Sequence, residues 1–166
     1  MEIQYTVTHQ IFKSKLKYED VIQRFESLTG SVEGGAWQKI VASVKAGDEA
    51  GFTKAVKACE GTHPFMRFMT IDHSHWLQLM NINGRCRLYI LGNPLIAQTM
   101  IRYDAGVGLN VPVRVLIQES DTGEVLFRYD QPSSLMSVLD NKDVSKAAAY
   151  LDQELQALAK DATQSV

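Results

Sequence analysis

Val111-Pro112-Val113-Arg114-Val115-Leu116-Ile117-Gln118, then the turn residues Asp121-Thr122-Gly123, then Glu124-Val125-Leu126-Phe127-Arg128-Tyr129, is the stretch that decides the fold class. Val111, Val113, Val115 and Ile117 recur at period two, so one side of the segment is apolar and the other is not. A second β-rich run follows a turn that contains glycine. Together they predict an antiparallel hairpin. A sheet built from hairpins needs a cover on its apolar side, and helical stripes elsewhere in the chain supply one.

Outward from the hairpin, Pro132 predicts a short helix through Leu139. A long helix follows over Asp143–Lys160, with Val144, Ala147, Ala148, Leu151, Leu155 and Leu158 at helical spacing. Residues 161–166 read as a frayed tail. Upstream, Asn93-Pro94 opens a helix to about Tyr103: Asn is a good N-cap, and Pro at the first helical position lacks an N–H that has no partner there anyway. Leu88–Leu91 and Phe65–Ile71 read as strands. Ser74–Ile82 reads as one or two helical turns with Trp76, Leu77, Leu79 and Met80 largely inside. Residues 3–13 alternate, with Ile3, Tyr5, Val7, His9 and Ile11 on the expected core face. Tyr18–Leu28 is a helix ended by Thr29-Gly30. Two short helices follow over Ala36–Ala46 and Glu49–Glu60, the second capped by Gly47 or Asp48. The order predicts a single-domain α+β fold over residues 1–166, with a curved antiparallel sheet and helices packed on one face.

Composition narrows the function classes. The chain has 166 residues, 45% of them hydrophobic and 22% charged, with a net charge of −2. That suits a domain with a real core and gives no electrostatic reason to expect nucleic acid or an anionic membrane as partner. No apolar run approaches the roughly 18–20 residues of a spanning helix, and residues 1–5 lack the pattern of a secretory signal. Two cysteines, Cys59 and Cys86, fit a reducing compartment, so a cytoplasmic location is expected.

The densest polar constellation is His63 with Asp72-His73-Ser74-His75. On a strand His73 and His75 point the same way, whereas on a helix they diverge by about 200°. They could ligate a transition metal, or haem within walls of Met66, Phe68, Met69 and Trp76. Alternatively Asp72 orients His73 as a general base, or Asp72 and Ser74 simply cap the next turn. No nucleophile-elbow sequence accompanies them, so the residues lean away from an enzyme. Arg114, opposite the valine face, could hold a ligand carboxylate or pair with Asp130 across the hairpin. His9 reads as a histidine satisfied within the core.

Several of these stretches, in order over residues 68–160, resemble the bacterial domain of unknown function family 302. They are Ile71-Asp72-His73, Leu88 through Ala97, Val111-Pro112-Val113-Arg114-Val115, Tyr129 through Leu135, and Leu151-Asp152. The resemblance implies one antiparallel sheet curved around a long C-terminal helix, members that form homodimers, and no established activity. It makes residues 36–60 a helical insertion relative to shorter members. It also implies cysteines where this chain has Gly92 and Val113. The polar residues of the resembling segments, Asp72, His73, Asn93, Arg114 and Asp130, are the candidate ligand site. A small-molecule-binding or sensing domain without catalysis is the expected function. The alternatives are haem or metal binding through His63, His73 and His75, or an Asp72-His73 acid–base enzyme.

Overall fold

A computed structural model describes residues 1–164. Its elements are β1 (His9–Ser14), α1 (Tyr18–Leu28), β2 (Gly30–Ser31), α2 (Ala36–Ala46), α3 (Glu49–Lys57), β3 (Met66–Asp72), α4 (Ser74–Leu79) and β4 (Arg85–Gly92). They continue with α5 (Pro94–Ile101), β5 (Val113–Glu119), β6 (Val125–Asp130), α6 (Pro132–Met136) and α7 (Lys142–Thr163). Short 3-10 turns lie at Ala105–Leu109 and Ser137–Leu139. The protein is α+β: six strands form one open sheet in the order β1-β6-β5-β4-β3-β2. Every pairing is antiparallel except the short parallel one of β2 with β3.

The predicted hairpin is present. Leu116 faces Arg128 and Ile117 faces Phe127 across it. Val113, Val115, Ile117, Val125, Phe127 and Tyr129 point to one side with Tyr89 and Leu91 of β4. There they meet Val21, Ile22 and Phe25 of α1, Met100 of α5 and the apolar stripe of α7. Each of the buried leucines of that stripe, Leu151, Leu155 and Leu158, contributes on the order of 2 kcal/mol by leaving water. A second cluster of Ile40, Val56, Cys59 and Met66 seats α2 and α3 at the β3 side of the sheet. Two helix starts read from sequence are made as expected: Asn93 accepts from the Leu95 amide at 2.8 Å, and Asp48 accepts from the Gly51 amide at 2.8 Å.

Three expectations are corrected. The first strand begins at His9 rather than residue 3, and its faces are reversed. Phe12 packs on the core beside Phe127 and Tyr129, while His9 and Ile11 are exposed. The Phe12–Phe127 register decides this, because a one-residue shift turns every side chain over. Around α4, Trp76, Leu79 and Met80 are exposed and Leu77 is half-buried, because this short helix at the end of the sheet buries only Ser74. Finally, α7 continues through Thr163, with Ala162 and Thr163 buried, so residues 161–163 are helix and not tail. Its last-turn carbonyls have partners: Arg24 donates to the Asp161 carbonyl and the Ser14 hydroxyl donates to that of Thr163. The rest of the expected tail, residues 165–166, lies outside the described residues.

The short strand β2 has no signature in the sequence because it opens on a glycine. Gly30 is needed there: a Cβ on it would sit 1.8 Å from the Cys59 carbonyl oxygen. Its amide donates instead to the Phe65 carbonyl at 2.8 Å.

Candidate functional site

The five candidate ligand residues do not gather into one site. Asp72, at the end of β3, is held by Arg87 of β4 at 2.7 Å and accepts from the Ser74 amide. Arg87 also reaches Glu26 of α1, which accepts the Tyr89 hydroxyl proton at 2.7 Å. Burial alone would raise the Asp72 carboxyl, but hydrogen bonds from Arg87 and Ser74 outweigh it and hold the pKa down at about 2. Burial raises the nearby Tyr18 hydroxyl to about 12, and that hydroxyl has no hydrogen-bond partner among the described residues. The Asp72–Arg87–Glu26–Tyr89 network therefore ties α1 to the sheet with its charges already satisfied. Sequence reading missed Arg87 and Glu26. Arg85-x-Arg87-x-Tyr89 on one face of a strand was the available signal.

The Asp72-His73 acid–base pairing is corrected as well. Asp72 turns to Arg87, while the His73 Nδ1 accepts the Trp76 indole N–H at 3.1 Å, so the two side chains share no hydrogen bond. The three candidate metal ligands are also apart. His63 is buried before β3 and contacts Asp161 through Nε2 at 3.0 Å. His73 follows β3, which places it about 20 Å further along the strand. His75 is exposed on α4. Among the described residues no three His, Cys, Asp or Glu side chains are placed to hold a metal ion. At the sheet's edge, Asp130 contacts His9 at 2.8 Å rather than Arg114, and both side chains are partly exposed, so His9 is not a core histidine.

What the fold does build is a cavity of about 320 Å³ beneath α5, where β4 leaves the sheet and β5 enters it. Its walls are Phe68, Gly92, Ile96, Ala97, Met100, Val113 and Leu151, with Asn93 and Gln98 among the few polar residues. Asn93 has little left to offer a ligand. Its side-chain oxygen accepts from Leu95, and its amide donates to Glu60 at 2.7 Å and to the Pro64 carbonyl at 3.0 Å. Of the candidate residues only Asn93 lines this space. Sequence reading could not single out the rest, because a pocket-lining Ala or Met looks like any other core residue.

A sheet with helices on one side and an apolar cavity between its end and a capped helix defines an α+β domain with a preformed pocket. Residues 41–162 match the family described as domain of unknown function DUF302, and the chain belongs to that family. The match covers most of the chain and begins within α2, upstream of the residues that carried the sequence resemblance. Among solved structures, the crystal structure of an uncharacterized conserved DUF302 protein from Bacillus stearothermophilus is similar. It has 13% identity and a TM-score of 0.64, and the alignment covers 93% of this chain and 97% of that one. At that identity the likeness is one of fold. No curated protein matches the chain. Among the described residues no helix is long and apolar enough to cross a membrane.

Proposed function

We propose that this protein is a non-catalytic binding or sensing domain that takes a small, uncharged, apolar molecule into the cavity beneath α5. The carrying observation is the cavity itself. Its volume of about 320 Å³ falls within the range of ligand sites, and none of its lining side chains is ionisable. Asn93 closes one wall with its hydrogen bonds spent inside the protein, so recognition rests on shape and apolar contact. Titration calorimetry with indole as probe tests this, with Ala97→Phe filling the space. Saturable binding by the wild type that Ala97→Phe abolishes is expected. Equal heats from both proteins would end the reading.

We propose further that the protein works as a homodimer and that α4 leads the contact. Trp76, Leu79, Met80 and Ile82 protrude with Met69 and Ile71 beside them, Leu79 at 76% exposure. Six large apolar side chains are thus exposed on and beside this one short helix, the kind of surface that marks an interaction site. Between Ser74 and Gly84 there is no Asp, Glu, Lys or Arg, so the patch can meet its own copy across a twofold axis without like-charge repulsion. Light scattering after gel filtration should give twice the chain mass, and Leu79→Asp should give one. A wild type that stays monomeric at micromolar concentration sinks the proposal. Two free thiols, Cys59 and Cys86, support a reducing, cytoplasmic location.

A further inference from the structure

A second hollow of about 430 Å³ lies on the face of the sheet opposite α7. It shares Pro112 and Val113 with the cavity beneath α5 and sits at the other end of the strands from α4. Ile90, Leu109 and Leu135 give it apolar walls, and Tyr5, outside β1 in the N-terminal segment, gives it an edge. Its polar groups are Asn110, Arg114 and Asp130.

Among the arginines of the sheet, those of β3 and β4 are paired, whereas Arg114 of β5 and Arg128 of β6 are not, and the Arg128 Nε is buried without a partner among the described residues. Arg67 donates to backbone carbonyls of α1, Arg85 pairs with Glu119, and Arg87 pairs with Asp72. The Arg114 side chain has no ion pair or hydrogen bond among the described residues. The strand register, continued past Leu116 and Arg128, brings Arg114 opposite Asp130, the acceptor expected for it. Asp130 is engaged instead by His9, on the strand beyond. A planar donor that presents two parallel N–H groups is thus left at a hollow of mixed polar and apolar lining, where Asp130 is turned to His9.

From this geometry we infer that the hollow on the open sheet face binds a monocarboxylate with a short apolar body, its carboxylate on Arg114 and its apolar part against Ile90, Leu109 and Leu135. This inference is independent of the cavity beneath α5, which offers a ligand no charge.

Titration calorimetry with 3-phenylpropanoate and its uncharged amide tests the inference on the full chain. The wild type should bind the acid more tightly than the amide. Arg114→Gln should weaken the acid by about tenfold or more and bring it level with the amide, while Arg114→Lys keeps part of the preference. Tyr5→Ala should weaken both probes alike. Ala97→Phe should change neither, whereas it abolishes indole binding if the first cavity is the apolar site. Equal affinity of Arg114→Gln and wild type for the acid overturns the inference. So does loss of acid binding in Ala97→Phe alone, and so does the absence of saturable binding to the wild type at millimolar concentration.

Discussion

Asp72 shows how a residue can be prominent in a sequence for the wrong reason. It stands next to His73, which suggests a catalytic pair, yet its partner is Arg87, brought opposite by the register of β3 and β4. Its carboxyl ionises at about 2, below the ordinary value of 3.8, so the native state favours the charged form. That stability, on the order of 2 kcal/mol, is fully present above pH 5 and is lost as the pH falls from about 4 towards 2. Asp72→Asn should remove this pH dependence, which urea melts at pH 6 and pH 3 can measure. Gly30→Ala should cost more at any pH, about 3 kcal/mol, because the added carbon meets a backbone carbonyl that cannot step aside. Asn93, by contrast, was readable from sequence because a helix cap is local chemistry: Asn before Pro states its role within three residues. The Arg87–Asp72 contact spans two strands, and no local pattern reports it.

Among the elements, those whose period is set by one dominant neighbour were readable, and α1, α2 and α5 start where their residue patterns say. The errors fall where an element has two possible neighbours or none. The apolar residues of β1 occur on both of its sides, and the choice belongs to Phe127 on another strand. The short helix α4 carries a core-like composition to a place with no core above it. The last turn of α7 lacks large apolar residues and so resembles a tail, yet Arg24, Ser14 and His63 all hold it. Two substitutions separate an anchored turn from a frayed one. Ala162→Asp buries a charge and should cost about 3 kcal/mol, while Ala157→Asp, on the exposed side, should stay within about 0.5 kcal/mol. Thermal or denaturant unfolding of the two variants would report it, and equal stabilities would mean the final turn is loose in solution.

For the molecule as a whole, the α+β class followed from period counting, but the strand order did not. A sheet with helices on one side leaves the other to be managed. On the uncovered side Ile11, Met69 and Ile71 are exposed, and Leu88, Ile90 and Leu116 are half-buried. The chain treats the ends of that side differently, with an uncharged apolar cluster around α4 and an arginine-bearing hollow at the opposite end. Their responses to ionic strength should differ accordingly. Association through α4 should persist in 1 M salt, where the Debye length is about 3 Å. Carboxylate binding at Arg114 should weaken over the same range. Light scattering and calorimetry across a salt series distinguish the two, and dissociation of the proposed dimer by salt would point to a polar contact in place of the apolar one.

The pairing of β1 with β6 also has a temporal side. His9 and Asp130 are 121 positions apart in the chain, yet they are direct neighbours in the sheet. At synthesis rates of roughly 5–20 residues per second, the ribosome takes on the order of 10 s to supply the mate of the first strand. Throughout that interval Phe12 has no ring to stack on and the backbone of its strand is unmatched. A nascent chain that stops short of β6 therefore carries β1 with the edge that β6 covers still open.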